Sequence, residues 1–238
     1  MGKLFTALDK GTGKILSRSV EKIQGLILQK VSSAASFNYL VNQLSDGLII
    51  PYNSWSLSPR AMMLIINHIL INDVKNIVEF GSGISTIFLN NLSKKNNLRL
   101  NIISVDHDDN WQKTIKEKYN VAGVNFVHAP LKSTMKFKNS DFTWYDNEVL
   151  KAIDKSNVDF VIVDGPIGKK SPYERAGAFE FFRSELERKN FSCFLDDTNV
   201  KELKEIMNHY YPGAQDYTEF CISGSGVKYE VEPVLFRK

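Results

Sequence analysis

The chain has 238 residues, 30 Lys and Arg against 27 Asp and Glu, a formal net charge of +3 and 43% hydrophobic residues. That length predicts one large domain with an extension, and the composition excludes disordered, collagen-like and repeat classes. The even charge balance leaves no electrostatic footprint for nucleic acid. Cys193 and Cys221 stand in apolar surroundings without paired metal-ligand spacing, so two reduced thiols are expected rather than a zinc site or a disulfide framework. The longest apolar runs, 61–71 and 160–163, fall short of the roughly 20 residues that span a bilayer, and the N-terminal stretch lacks an apolar signal core. The protein is expected to be cytoplasmic, with no transmembrane segment.

Residues 1–52 read as a helical N-terminal extension and 53–238 as the main domain. Over 14–31, Leu16, Val20, Ile23, Ile27 and Val31 recur at helical spacing, with Lys14, Arg18, Lys22 and Lys30 mostly off that face. This amphipathic helix is expected to pack on the main domain or on a second copy in a homodimer, and its basic flank also suits peripheral contact with an anionic membrane. Pro51, Asn53, Ser54, Ser56 and Pro59 make 51–59 turn-rich. Ser58 then reads as the N-cap of a helix with Pro59 at its first position, running to Ile71.

Short apolar strands follow at 76–80, 100–105, 124–128, 159–163 and 192–195. Helices are expected between and after them at 86–92, 110–119, 176–189 and 200–210. Two late strands, 217–222 and 229–236, flank Ser223-Gly224-Ser225-Gly226 and read as an antiparallel edge hairpin. The alternation predicts an α/β fold: a Rossmann-like, doubly wound, mostly parallel sheet with an antiparallel C-terminal hairpin. Ligands of such a sheet bind beyond the carboxyl ends of the strands, so the residues just after each strand carry the functional information.

The first strand ends in Glu79-Phe80-Gly81-Ser82-Gly83-Ile84-Ser85-Thr86. Two glycines permit a sharp turn and close approach to a ligand, and the next helix offers free N–H groups. A dinucleotide-binding loop would want a third glycine at Thr86, and Glu79 suits a cationic ligand better than a diphosphate. The second strand ends in Asp106, 27 residues after Glu79, where a carboxylate can accept both hydroxyls of a ribose. His107 follows it, and Trp111 offers an apolar surface or a core contact. The fourth strand ends in Asp164-Gly165-Pro166, placing a carboxylate suited to general-base or metal-ligand work ahead of a basic Gly168-Lys169-Lys170 loop and Arg175. The fifth ends in Asp196-Asp197-Thr198-Asn199, and with Asp164 these acids make an oxygen-rich set suited to a hard divalent cation.

The acidic residue before Gly-x-Gly, with an acid closing the next strand, resembles the class I S-adenosylmethionine-dependent methyltransferases. The resemblance implies S-adenosyl-L-methionine as cofactor. It places Glu79, Gly81, Ser82, Gly83 and Thr86 near the amino acid part, Asp106, His107 and Trp111 near the nucleoside, Ala129 and Leu131 along the adenine edge, and Asp164 by the methyl. Asp164, Asp196 and Asp197 are reminiscent of the metal ligands of catechol O-methyltransferases, although Asp-Asp-Thr-Asn replaces the Asp-Asn pair of that family. Asp164, Gly165, Pro166, Gly168 and Arg175 also look like the corresponding segment of glucuronoxylan and other glycan O-methyltransferases.

The expected activity is therefore O-methylation of a small-molecule or sugar hydroxyl, with Asp164 or His107 as base, or a metal on Asp164 and Asp196 or Asp197. Arg175 would hold an anionic acceptor, sit in a solvated charge cluster, or pair internally with Glu174 or Glu180. Tyr52, Trp55 and Arg60 fall where a substrate-covering lid would sit. A nucleotide-dependent oxidoreductase and a noncatalytic binding protein on the same sheet remain as alternatives.

Overall fold

The computed structural model describes residues 2–167, 171–217 and 219–224, with side chains from residue 19 onward. Helix α1 (Gly2–Leu44) is 43 residues long and extends well beyond the expected 14–31 on both sides. Its C-terminal part docks on the main domain through buried Leu40 and Leu44. Val20, Ile23, Ile27 and Val31 remain 50%, 56%, 55% and 51% exposed, which corrects the expectation that this face packs on the domain. Helix α2 (Pro59–Ile71) starts as expected, with the Ser58 hydroxyl oxygen accepting the Ala61 N–H at 3.2 Å.

The remaining elements are β1 (Asn76–Phe80), α3 (Ile84–Lys95), β2 (Asn101–Asp106), α4 (Asp109–Lys118), β3 (Val124–His128), β4 (Leu131–Phe137), β5 (Ser140–Tyr145) and α5 (Asn147–Leu150). After these come β6 (Phe160–Val163), α6 (Ala176–Phe181), β7 (Ser192–Asp196), α7 (Lys201–Tyr210), β8 (Gln215–Asp216) and β9 (Phe220–Gly224). Seven strands form one sheet in the order β3-β2-β1-β6-β7-β9-β8. The first five are parallel, and β9 runs antiparallel between β7 and β8.

Both faces of the parallel strands are covered, as their near-continuous apolar sequence requires. One face packs on α1, α2 and α3, with Ile77, Ile102, Ile162 and Phe194 turned toward them. The other packs on α6, α7 and the β4–β5 hairpin, with Val78, Phe80, Val161 and Val163 turned toward those. The chain runs outward from β1 to β3 and then crosses to β6, so the ends of β1 and β6 flank the topological switch point.

Three expectations change. Residues 131–145, to which the reading assigned no element, form the β4–β5 hairpin outside the main sheet. The helix expected over 176–189 stops at Phe181 because the next stretch closes as successive turns, Glu185 N–H to Phe182 O at 2.8 Å and Arg188 N–H to Glu185 O at 2.9 Å. Those turns bring the Arg188 guanidinium onto the carbonyls of Ser156 and Val158. The late strand expected at 217–222 lies at Phe220–Gly224 and pairs with β8, whereas 229–236 and the Gly168-Lys169-Lys170 loop lie outside the described residues. Among the described residues, no helix is long and apolar enough to cross a membrane.

Candidate functional site

The loop after β1 is held mainly by its own backbone. Gly81 has φ 101°, a conformation that favours glycine, and its N–H binds Val105 O at 2.8 Å. A Cβ on Gly165 would stand 2.7 Å from Tyr145 Oη and 3.0 Å from Gly81 Cα, so glycine is required for the two strand-end turns to touch. The Ser82 N–H donates to Asp106 Oδ2 at 2.8 Å, and Trp111 Nε1–H donates to Ser82 O at 2.7 Å. The indole expected beside a nucleoside therefore also clamps the glycine loop from α4.

Thr86 explains why no third glycine is needed. Its hydroxyl oxygen accepts the Gly83 N–H at 2.9 Å, and its O–H donates to Glu79 Oε2 at 2.5 Å. A second donor chain runs from Gln112 Nε2–H to the Ser82 hydroxyl at 3.0 Å, on to Ser104 Oγ at 2.8 Å, and from Ser104 to Glu79 Oε2 at 2.8 Å. Glu79 is 0% exposed and Thr86 is equally buried, so both sit beneath the loop rather than in the cleft wall. This corrects the expectation that Glu79 faces a cationic ligand. Period-two alternation turns its side chain under α3, on the same face as Ile77. Burial pushes the Glu79 carboxyl up to about 7, against the opposing hydroxyls of Ser85, Thr86 and Ser104.

Over the switch point opens a cavity of about 600 Å³, in the range of small-molecule sites. Gly81, Ser82, Gly83, Asp106, His107, Trp111, Asp164, Arg175, Asp196 and Asp197 all line it. Asp106 is fixed by two backbone donors, Ser82 N–H and, at 2.9 Å, Asp108 N–H, with His107 Nδ1 3.2 Å from its Oδ1. Ala129 is fully buried with its N–H on Asp106 O at 2.8 Å, and Leu131 opens β4; neither lines the cavity.

The acids expected to gather do so: Asp164, Asp196 and Asp197 each place a carboxylate oxygen within 4.8 Å of the others. Arg175 enters the same cluster. Its guanidinium donates to Asp164 Oδ1 at 3.3 Å, Asp197 Oδ2 at 2.9 Å and Asp196 O at 3.1 Å. The pairing of Arg175 is therefore internal, with Asp164 and Asp197 in place of the expected Glu174 or Glu180; Glu180 holds Arg183 at 2.8 Å. Burial pushes Asp164 up to about 6, with Arg175 pulling the other way. Asp196 is pushed well above the carboxylate range by burial, then by Asp164 and Asp197. The donor chemistry suits a hard divalent cation, but a single guanidinium already pairs with two of the three carboxylates. The set does not fit an uncommitted metal cage.

The outer wall is formed by 51–57, where Asn53 Oδ1 accepts the Trp55 N–H at 2.9 Å and Trp55 stands 70% exposed. Of the lid residues expected there, Trp55 lines the cavity, Tyr52 packs tilted against Phe37 with ring centroids 4.8 Å apart, and Arg60 lies outside the wall. Tyr145 and Glu174 are both buried in the wall, Tyr145 without a motif at a strand end of the main sheet to mark it and Glu174 where only a pairing with Arg175 was expected. Tyr145 was reachable through the alternation of Leu131, Met135 and Phe137 with Lys132, Thr134 and Lys136, which marks the hairpin that carries it.

Residues 78–181 match the sequence model of a family described as a methyltransferase domain. The match runs from β1 to the end of α6 and includes the glycine loop, Asp106, Tyr145, Asp164 and Arg175. Over those residues the chain is similar to a methyltransferase domain. No curated protein matches its sequence. The structure is similar to the O-methyltransferase TomG of Streptomyces achromogenes, involved in tomaymycin synthesis and solved in complex with SAM, with a TM-score of 0.49 at 12% identity over 83% of this chain and 99% of that one. A Staphylococcus aureus protein assigned as a caffeoyl-CoA O-methyltransferase gives 0.49 at 15% identity, covering 87% and 98%. The SAH-bound methyltransferase PaMTH1 of Podospora anserina gives 0.48 at 11%, covering 84% and 88%.

Proposed function

We propose that the chain methylates a hydroxyl oxygen of a small molecule or of a sugar unit in a glycan. The observation that carries this reading is the meeting of Gly81, Asp106 and Asp164 around one cavity of about 600 Å³. Gly81, Ser82 and Gly83 would receive the amino acid half of S-adenosylmethionine, and Asp106 the ribose hydroxyls. When bound, S-adenosylmethionine supplies a methyl group already activated on a sulfonium. The chain's own task is then alignment and proton removal.

Asp164 takes the acceptor's hydroxyl proton in this reading, and its raised affinity for a proton makes it a stronger base than an ordinary carboxylate. Arg175 holds Asp164 in place from behind. His107, held by Asp106 and lining the cleft, is the second base within reach. Asn53, Ser54 and Ser56 beside exposed Trp55 support a sugar acceptor, because a ring can stack on the indole while its hydroxyls meet polar groups. The exposed stripe of α1 is read as a contact for a second copy of the chain or for an anionic membrane, which sedimentation alone and with anionic vesicles separates.

Calorimetry tests the cofactor assignment. Asp106→Ala is expected to abolish binding of S-adenosylmethionine, and undiminished affinity overturns the assignment.

A further inference from the structure

Tyr145 closes β5 at the inner wall of the cleft. Its ring is fully buried, stacked on Phe80 with centroids 5.7 Å apart and interplanar angle 22°, and set edge-on to Trp144 at 4.8 Å. Among the described residues its hydroxyl has no hydrogen-bond partner. A buried tyrosine hydroxyl normally finds one, and leaving it unmade destabilises the empty protein. Phenylalanine would fill the same space without that cost. The oxygen reaches the contact between Gly165 and Gly81, beneath the part of the cleft assigned to the amino acid half of the cofactor.

Donors are scarce at that corner. The N–H groups of Gly81, Ser82, Gly83 and Gly165 are spent on Val105, Asp106, Thr86 and Phe80 respectively. Arg175 is the only Lys or Arg among the described residues lining the cleft, and its guanidinium is committed to Asp164, Asp197 and the Asp196 carbonyl. Apart from the side chains of Asn53, Ser54 and Ser56 in the outer wall and of Ser85 and His107, a ligand carboxylate arriving beside Asp106 and Asp164 meets the first-turn N–H groups of α3 and the Tyr145 hydroxyl. Burial and the nearby Asp106 keep that phenol protonated, a neutral donor and not a base.

We propose that Tyr145 is a positioning residue whose hydroxyl donates a hydrogen bond to the carboxylate of the cofactor's amino acid half. This rests on the reading of the cleft as the S-adenosylmethionine site. The rigid stacking of the ring fixes the donor before the ligand arrives, so no side-chain freedom is lost on binding.

The test is calorimetry of the full chain and of Tyr145→Phe with two probes, S-adenosylhomocysteine and 5′-methylthioadenosine, which lacks the amino acid half. Tyr145→Phe is expected to bind S-adenosylhomocysteine about tenfold more weakly and 5′-methylthioadenosine equally well. Its ligand-free melting temperature is expected to equal or exceed that of the parent, since no internal bond is lost. Equal affinity for S-adenosylhomocysteine overturns the proposal, as does equal weakening toward both probes. A lower ligand-free melting temperature also overturns it, because the hydroxyl would then have a partner inside the protein. Failure of the parent chain to bind either probe overturns the cofactor reading itself; parent binding with an unchanged variant overturns only the role of Tyr145.

Discussion

Glu79→Gln probes the buried support of the glycine loop. Burial raises the carboxyl from 4.5 to about 7 in the folded state, which corresponds to about 3 kcal/mol. Below pH 4.5 the side chain is protonated in folded and unfolded chains alike, and it adds no pH dependence. Between 4.5 and 7 the unfolded chain loses this proton while the folded one keeps it, so stability falls as pH rises; above 7 the full penalty stands. Glutamine never ionises, and its amide oxygen can still accept from Thr86 and Ser104. The stability of the variant relative to the parent should therefore grow by about 3 kcal/mol between pH 4.5 and pH 8, measured by urea unfolding of the ligand-free proteins. Any fixed cost of fitting the amide NH₂ enters equally at both pH values and cancels. A difference that stays constant or shrinks with pH refutes the reasoning, because the hydroxyls would then outweigh burial and the carboxylate would be ionised at neutral pH.

Other outcomes follow from the same geometry. Asp164→Asn should retain binding of S-adenosylhomocysteine and lower kcat by roughly 10²–10⁴. Because the base must be ionised, kcat/KM of the parent should fall as pH drops through about 6, and a profile flat to pH 5 removes Asp164 from that role. Gly177→Ala would place a Cβ 2.1 Å from the Trp144 ring, and a loss of about 1–3 kcal/mol or more is expected by thermal unfolding. An unchanged melting temperature would mean that the hairpin packs elsewhere. Activity should survive exhaustive dialysis against EDTA, since Arg175 supplies the cation among the three acids; loss restored by Mg²⁺ or Mn²⁺ would show that a metal shares them.

The parallel core was legible because its strands are short apolar runs, four of the five closed by Gly or Asp, and because a helix cap such as Ser58-Pro59 acts locally. Asp106, Asp164, Asp196 and Asp197 were legible for the same reason: a strand end fixes its position in the sheet whatever the neighbours do. The face on which Glu79 lies depends on how α3 covers β1, which a Gly-x-Gly pattern does not carry. Arg175 meets Asp196 and Asp197 across the loop between α6 and β7, and adjacent Glu174 gave a misleading local partner. The hairpin was hidden by its Lys, Ser and Thr content. What holds it is the insertion of Trp144 over Gly177, a contact formed only once α6 is in place.

The abutment of Gly81 against Gly165 has an evolutionary consequence. The part of the cleft proposed to hold the methyl donor is set by main chain touching main chain and by a sealed hydroxyl chain, so side-chain drift has little to act upon there. The opposite half is walled by 51–57, a short surface segment folded on its own Asn53–Ser56 bonds. Loops of that kind accept substitution readily. On the proposed function, the acceptor range can thus be rewritten in a few solvent-facing positions while the proposed methyl-donor seat stays constant, and grafting a foreign 51–57 segment is a compact route to testing that division.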